Sequence, residues 1–142
     1  MSDKEHISYQ EIVEECKKLA PLLKAHQFNK IIAITRGGMV PACLLAQLLD
    51  IRVVGSISLV SYNDDNQRGE IKCLVSPNIP TDEETLFVDD LCDSGETFNY
   101  IRTFYPRAKI AVLYNKSPEL ALDFPAKQKD AQTWLVFPWD IG

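Results

Sequence analysis

The most restrictive feature of this chain is a short apolar strand that runs straight into acid, Thr85-Leu86-Phe87-Val88 followed by Asp89-Asp90. An unbroken apolar run of this length reads as a buried strand. Two adjacent carboxylates where such a strand meets solvent repel each other, so they must be solvated, paired or bound to a cation. The next residues, Asp93-Ser94-Gly95-Glu96-Thr97, lead into a helical stretch that carries Phe98, Ile101, Arg102 and Tyr105. The chain around this segment must therefore bury a strand on both sides and still open its end to a polar ligand.

The remaining pattern supplies the partners. Ser8-Tyr9-Gln10-Glu11 reads as a capping box. Ile12, Cys16, Leu19 and Leu23 follow at helical spacing, with Pro21 predicting a late kink or an early end. Lys30-Ile31-Ile32-Ala33-Ile34-Thr35 is a second apolar run and stops at Arg36-Gly37-Gly38. A helix starts near Val40 with Pro41 tolerated in its first turn. Residues 51–62 read as a strand, 63–69 as a polar turn or mobile loop, and 70–75 as a hairpin partner. Strands at 108–114 and 133–137 complete the pattern. Strand, helix, strand, helix, strand implies parallel strands joined by crossovers. The expected fold is a doubly wound α/β domain over residues 1–142, with a mostly parallel sheet, helices on both faces and an added antiparallel hairpin. Ligands of such sheets bind at the carboxyl ends of the strands. That rule brings the loop after Thr35 and the loop after Val88 to one rim.

The chemistry at that rim follows from residue type. Asp89 and Asp90 can grip vicinal sugar hydroxyls, directly or through waters on Mg²⁺. Gly95 permits a tight backbone path. The helix N-terminus after it offers N–H groups and a positive dipole end to an anion, and Ser94 and Thr97 add hydroxyls. The array suits a sugar that carries both a diol and a phosphate. A plainer reading makes Asp93 or Ser94 an ordinary helix N-cap. At the other loop, Gly37 and Gly38 let the backbone approach a ligand and Arg36 supplies a charge suited to diphosphate; an ordinary turn is the competing reading.

Composition narrows the partners. The net charge is -5 in 142 residues, with a pI of about 5.0. This argues against nucleic acid, whose affinity rests on Lys and Arg. No apolar run approaches the ~20 residues of a bilayer span, and the polar N-terminus is unlike a signal peptide. The expectation is a soluble, cytoplasmic protein that needs no membrane. Cys16, Cys43, Cys73 and Cys92 form no C-x-x-C pair, so four reduced, mostly buried thiols are expected rather than a zinc site.

Residues 86–97, Leu86-Phe87-Val88-Asp89-Asp90-Leu91-Cys92-Asp93-Ser94-Gly95-Glu96-Thr97, resemble the signature of type I phosphoribosyltransferases. Ile34-Thr35-Arg36-Gly37-Gly38 resembles that family's diphosphate loop. Ser61-Tyr62-Asn63-Asp64-Asp65-Asn66-Gln67-Arg68 is similar to the mobile loop of the bacterial xanthine-guanine branch, and Trp134-Leu135-Val136-Phe137-Pro138-Trp139-Asp140 to its purine hood. The likeness runs from Lys30 to Gly142, weakest over 117–131, and places hood elements near 117–142. It implies an Mg²⁺-dependent enzyme that uses 5-phosphoribosyl 1-diphosphate and a 6-oxopurine (guanine, xanthine or hypoxanthine). An open strand edge and apolar helices would suit a homo-oligomer, a dimer or a tetramer.

The resemblance also implies roles. Asp89 and Asp90 would hold the ribose diol and the Mg²⁺ hydration shell, with Asp89 as the metal residue. Asp93 would be the general acid/base near purine N7. Ser94, Gly95, Glu96 and Thr97 would wrap the 5′-phosphate, with the Glu96 side chain pointing outward. Thr35, Arg36 and Gly37 would contact diphosphate, and Arg68 would help close over it. Lys116 would donate to the purine 6-oxygen, with Trp134 and Leu135 around the base and Asp140 at the second metal or the purine 2-position. Plainer readings remain for Lys116 as a solvated surface residue, Trp134 as core and Arg68 as a loop charge. Val136 departs from the branch, which has an acidic residue there. Competing functions are a phosphoribosyltransferase for another base, a non-catalytic regulator that binds the same ribose ligand, and a phospho-receiver domain.

Overall fold

The computed structural model describes residues 3–64 and 67–142, and side chains outside 62–69. Two elements start the chain. Strand β1 is Lys4–His6, and helix α1, Tyr9–Lys24, begins at an N-cap where Ser8 and Glu11 form the capping box read from the sequence. Pro21 neither ends nor shortens this helix. It sits in the exposed last turn, where one lost backbone bond costs least. The buried stripe is Ile12, Cys16, Leu19, Ala20 and Leu23.

A six-stranded sheet forms the body. It is built from β2 (Lys30–Thr35), β3 (Val53–Asp64), β4 (Gln67–Val75), β5 (Thr85–Cys92), β6 (Lys109–Asn115) and β7 (Lys127–Gln128), in the order β4-β3-β2-β5-β6-β7. All neighbours run parallel except β3 and β4, the added hairpin. Helix α2 (Met39–Leu49) joins β2 to β3 and helix α3 (Glu96–Phe104) joins β5 to β6. One core layer packs α1 and α2 against Ile31, Ala33, Leu86, Val88, Ala111 and Leu113. The other packs α3 against Ile32, Ile34, Phe87, Ile110 and Val112. Neighbouring residues of one strand thus serve opposite layers, which is why these strands read as continuous apolar runs. The expected doubly wound α/β architecture is the observed one.

Three sequence expectations are revised. The hairpin strands run to Asp64 and restart at Gln67, so most of the expected 63–69 turn is strand; Asp65 and Asn66 lie outside the described residues. Strand β5 continues through Asp89-Asp90 to Cys92, because β6 pairs with it as far as Cys92↔Asn115. The acidic pair is thus held on the ladder instead of in a loop. The last strand, β8 (Trp134–Val136), pairs in parallel with β1 as a separate two-stranded sheet. The hood therefore draws on the N-terminus as well as on 117–142. An ion pair from Lys129 Nζ to Glu5 Oε2 at 2.6 Å ties β1 to the body.

The weakly patterned stretch 117–131 is ordered by polar contacts. Asp123 accepts from the Ile110 amide at 2.9 Å and from Arg102 at 3.1 Å, while Arg102 also donates to the Ala121 carbonyl at 2.6 Å. Of the cysteines, Cys16 and Cys92 are buried, Cys73 is intermediate and Cys43 is exposed. That corrects the expectation of mostly buried thiols. Burial pushes the Cys16 thiol up to about 12 and the Cys92 thiol up to about 11. A disulfide reagent at mildly alkaline pH is expected to modify Cys43 first, because thiolate content and access set the rate. Cys16 and Cys92 should react only on unfolding, and mass spectrometry of the native protein reads the order. Early labelling of Cys16 would contradict this packing. No helix among the described residues is long and apolar enough to cross a membrane.

Candidate active site

The rim at the carboxyl ends of β2 and β5 is close-packed. Gly38 donates its amide to Ile34 O at 2.8 Å, and a Cβ on Gly38 would lie 2.1 Å from Val88 O. A Cβ on Gly37 would lie 2.4 Å from Asp90 Oδ2. The two glycines therefore exist because the β2–α2 loop lies directly on β5, not because a generic turn needs them. The Thr35–Arg36 peptide is cis. Arg36 is exposed. The Thr35 hydroxyl lies 3.0 Å from Ser58 Oγ and 3.3 Å from Ile57 O on β3, and its single proton is directed at these acceptors.

Asp89 and Asp90 are half-buried. Asp89 Oδ1 accepts the Asp90 amide at 2.8 Å. Asp90 Oδ2 accepts the indole N–H of Trp139 at 3.3 Å. Among the described residues neither carboxylate has an ion pair. Burial, and then the adjacent Asp90 charge, holds Asp89 well above the ordinary carboxylate range. Burial raises Asp90 as well, while hydrogen bonds from Asp89 and Trp139 pull it back down. A pair of unneutralised carboxylates in such surroundings is a standing demand for a cation or for hydroxyl donors. Hard oxygen donors suit Mg²⁺, which takes one or two carboxylates and completes its shell with water and substrate phosphate.

Beyond β5, Gly95 takes φ 91 and becomes the N-cap of α3 with no side-chain cap. This settles the plainer reading, because neither Asp93 nor Ser94 caps the helix. Its first N–H groups face a cavity of about 640 Å³ lined by Asp89, Asp93, Ser94, Gly95, Glu96 and Thr97, with Ser61 across from them. Glu96 is half-buried and is among the residues that line this cavity.

Strand β6 brings Lys116 to the same rim. Its amide donates to Cys92 O at 2.9 Å, and its side chain is only 8% exposed, so it is not a solvated surface lysine. Lys116 Nζ lies 3.7 Å from Asp93 Oδ1, and Asp93 is 70% exposed. The Asp93 backbone is fixed from the other side, where Ser117 Oγ donates to its carbonyl. At the hood, Leu135 is buried and Trp134 is 61% exposed, so Trp134 is not core. Asp140 closes the last turn by accepting the Phe137 amide at 2.9 Å. The Arg68 side chain lies outside the described residues. The structure thus gathers the two loops, the acidic pair, Asp93 and Lys116. Sequence reasoning missed Ser117 and Trp139; the latter lies in the hood motif, but nothing in spacing links it to Asp90.

An acidic strand end, an uncapped helix N-terminus beside it and a glycine loop against it form an arrangement whose groups suit a phosphorylated sugar. The phosphoribosyl transferase domain profile matches residues 8–142, and the chain belongs to that family. A xanthine-guanine phosphoribosyltransferase of Ruegeria sp. (strain TM1040) is 38% identical over 152 residues, which span 96% of this chain and 85% of that protein. One from Cereibacter sphaeroides (strain ATCC 17025 / ATH 2.4.3) is 37% identical over 145 residues, spanning 96% and 87%. The crystal structure of a purine phosphoribosyltransferase from Pyrococcus horikoshii Ot3 superposes with a TM-score of 0.84 at 23% identity, covering 99% of this chain and 96% of that one.

Proposed function

We propose that this protein moves the ribose 5-phosphate group of 5-phosphoribosyl 1-diphosphate onto a 6-oxopurine and releases diphosphate. The observation that carries the reading is the placing of buried Lys116 within 3.7 Å of Asp93, between the acidic strand end and the hood. The curated relatives named xanthine-guanine phosphoribosyltransferase support the same reading. In the reaction the bond from the anomeric carbon to the diphosphate oxygen breaks and its electron pair leaves with diphosphate. A purine ring nitrogen forms the new bond, and Asp93 takes the proton released from the base.

Each group has a job that its position allows. Asp89 and Asp90 bind the ribose diol and would hold Mg²⁺, which supplies charge to the departing diphosphate. The N–H groups at the start of α3, with Ser94, Gly95, Glu96 and Thr97, hold the 5′-phosphate. The backbone at Arg36 and Gly37, with the Arg36 guanidinium, faces diphosphate. Thr35 contributes only through its backbone. Arg68 assists on the hairpin. Trp134 and Leu135 surround the base, and Val136 presents no carboxylate to it. Asp140 acts through the turn that it closes.

Lys116 sets base choice. An ammonium donates to a 6-oxo group but meets another donor in a 6-amino group. Adenine is therefore expected to fall below hypoxanthine in kcat/KM by about 100-fold or more. A spectrophotometric assay with 5-phosphoribosyl 1-diphosphate, Mg²⁺ and guanine, xanthine, hypoxanthine, adenine or orotate checks this. Lys116→Ala should lower hypoxanthine turnover and narrow the gap to adenine. Orotate as the best acceptor would replace the purine reading, and binding of the ribose ligand without turnover would replace the enzyme with a regulator. A homo-oligomer is part of the proposal, supported by exposed Met39, Val54 and Val75 around one shallow cavity of about 740 Å³ on the α2–β3 side.

A further inference from the structure

The hood and the acidic strand end touch at one polar contact, the indole N–H of Trp139 on Asp90 Oδ2 at 3.3 Å. Several features hold that contact in place. The Trp139 ring stacks on Phe137 with centroids 5.1 Å apart and planes within 2°. Phe137 is buried and packs on Tyr114 of β6 at 5.7 Å. Asp140 accepts the Phe137 amide at 2.9 Å and so closes the turn that carries Trp139. On its other side the Asp90 carboxylate lies against the Gly37 backbone, where no Cβ could fit.

Asp90 is thus clamped between the β2–α2 loop and the hood. Its rotamer is set by two elements that meet nowhere in sequence. An indole donates one hydrogen bond and accepts none, so Trp139 can hold a carboxylate and cannot replace it as a ligand. The same C-terminal segment carries Trp134 and Leu135 on β8.

We propose that Trp139 is a positioning residue that presets Asp90 for the ribose diol. The proposal rests on the function proposed above and deepens it. It assigns to Trp139 no contact with either substrate. Its effect passes through the orientation of Asp90, so it should be seen in the affinity for the ribose ligand and not in the affinity for the base.

The test uses Trp139→Phe, which keeps the ring stack on Phe137 and deletes the donor. Equilibrium binding of 5-phosphoribosyl 1-diphosphate with Mg²⁺ is expected to weaken about 10-fold, the low end for a hydrogen bond to a charged group. The KM for hypoxanthine should stay within about 2-fold. In an Asp90→Ala background the same substitution should change ribose-ligand binding by less than about 2-fold, because the pair acts as a unit. Additive effects, or equal losses for ribose ligand and base, would overturn the proposal. Should Trp139→Phe fold poorly, Trp134→Phe leaves Trp139 as the sole tryptophan, since the chain has 2. Its fluorescence should then respond to the ribose ligand, and an unchanged spectrum at saturation would count against the contact. A wild-type protein that binds no ribose ligand overturns the proposed function and this inference together. Full binding by Trp139→Phe overturns the inference alone.

Discussion

Asp93→Asn is expected to lower kcat for transfer to hypoxanthine by about 10²- to 10⁴-fold, the range seen when a general acid or base is removed. The side chain is 70% exposed and makes one long contact, to Lys116 at 3.7 Å. Its loss should therefore leave folding nearly untouched, within about 0.5 kcal/mol as for other surface changes. In the proposed function the 5′-phosphate is held by backbone groups at the start of α3, so the KM for 5-phosphoribosyl 1-diphosphate should move little. A large fall in kcat with a small change in KM marks an interaction made in the transition state. Steady-state kinetics with both substrates, alongside thermal unfolding, separates these effects. A fall in kcat of less than about tenfold would remove Asp93 from proton transfer.

Gly38→Ala is expected to be the most damaging single methyl group at the rim. The new Cβ would meet Val88 O at 2.1 Å and Ile34 O at 2.8 Å. Both are backbone atoms of paired central strands, so no side-chain rotation relieves the clash. A cost of about 3 kcal/mol or more follows from overpacking against rigid surroundings. For a chain of this size that lowers Tm by about 10 °C. Gly37→Ala makes the instructive contrast. Its Cβ would meet only the Asp90 carboxylate, at 2.4 to 2.5 Å, and a side chain can turn away. Gly37→Ala should fold with a loss of about 1 kcal/mol but bind the ribose ligand poorly, because Asp90 must leave its place. Urea denaturation and ligand titration of the two variants distinguish a fold defect from a site defect. A stable Gly38→Ala protein would show that the β2–α2 loop does not lie on β5.

The candidate site was legible as a group because its residues are contiguous. Thr85-Leu86-Phe87-Val88 reads as a buried strand, and the carboxylate pair followed by Asp93-Ser94-Gly95-Glu96-Thr97 marks a polar strand end through residue type. The capping box at Ser8 was legible for the same reason, since both partners lie within one helical turn. The topology followed from the alternation of strand and helix, since parallel strands need crossovers.

Other features depended on contacts between distant residues. Lys4–His6 carries no apolar alternation, so a three-residue strand there is defined by β8 as its partner and not by its own pattern. The end of β5 was misplaced at Val88 because polarity marks solvent, whereas the ladder with β6 continues to Cys92. Glycines at 37 and 38 signalled close approach without saying what approaches. Only packing supplied Asp90 for one and Val88 O for the other. Lys116 could not be told from a surface lysine until β6 carried it under the rim.

The sequence by itself determined the fold class, the acidic strand end and the family, because each rests on local order and residue type. Tertiary structure alone decided which groups meet: Lys116 with Asp93, Gly37 with Asp90, and Trp139 with Asp90 across the hood. These pairs join residues from separate strands and loops. Their distances are set by how the sheet and hood pack, and no spacing along the chain encodes that.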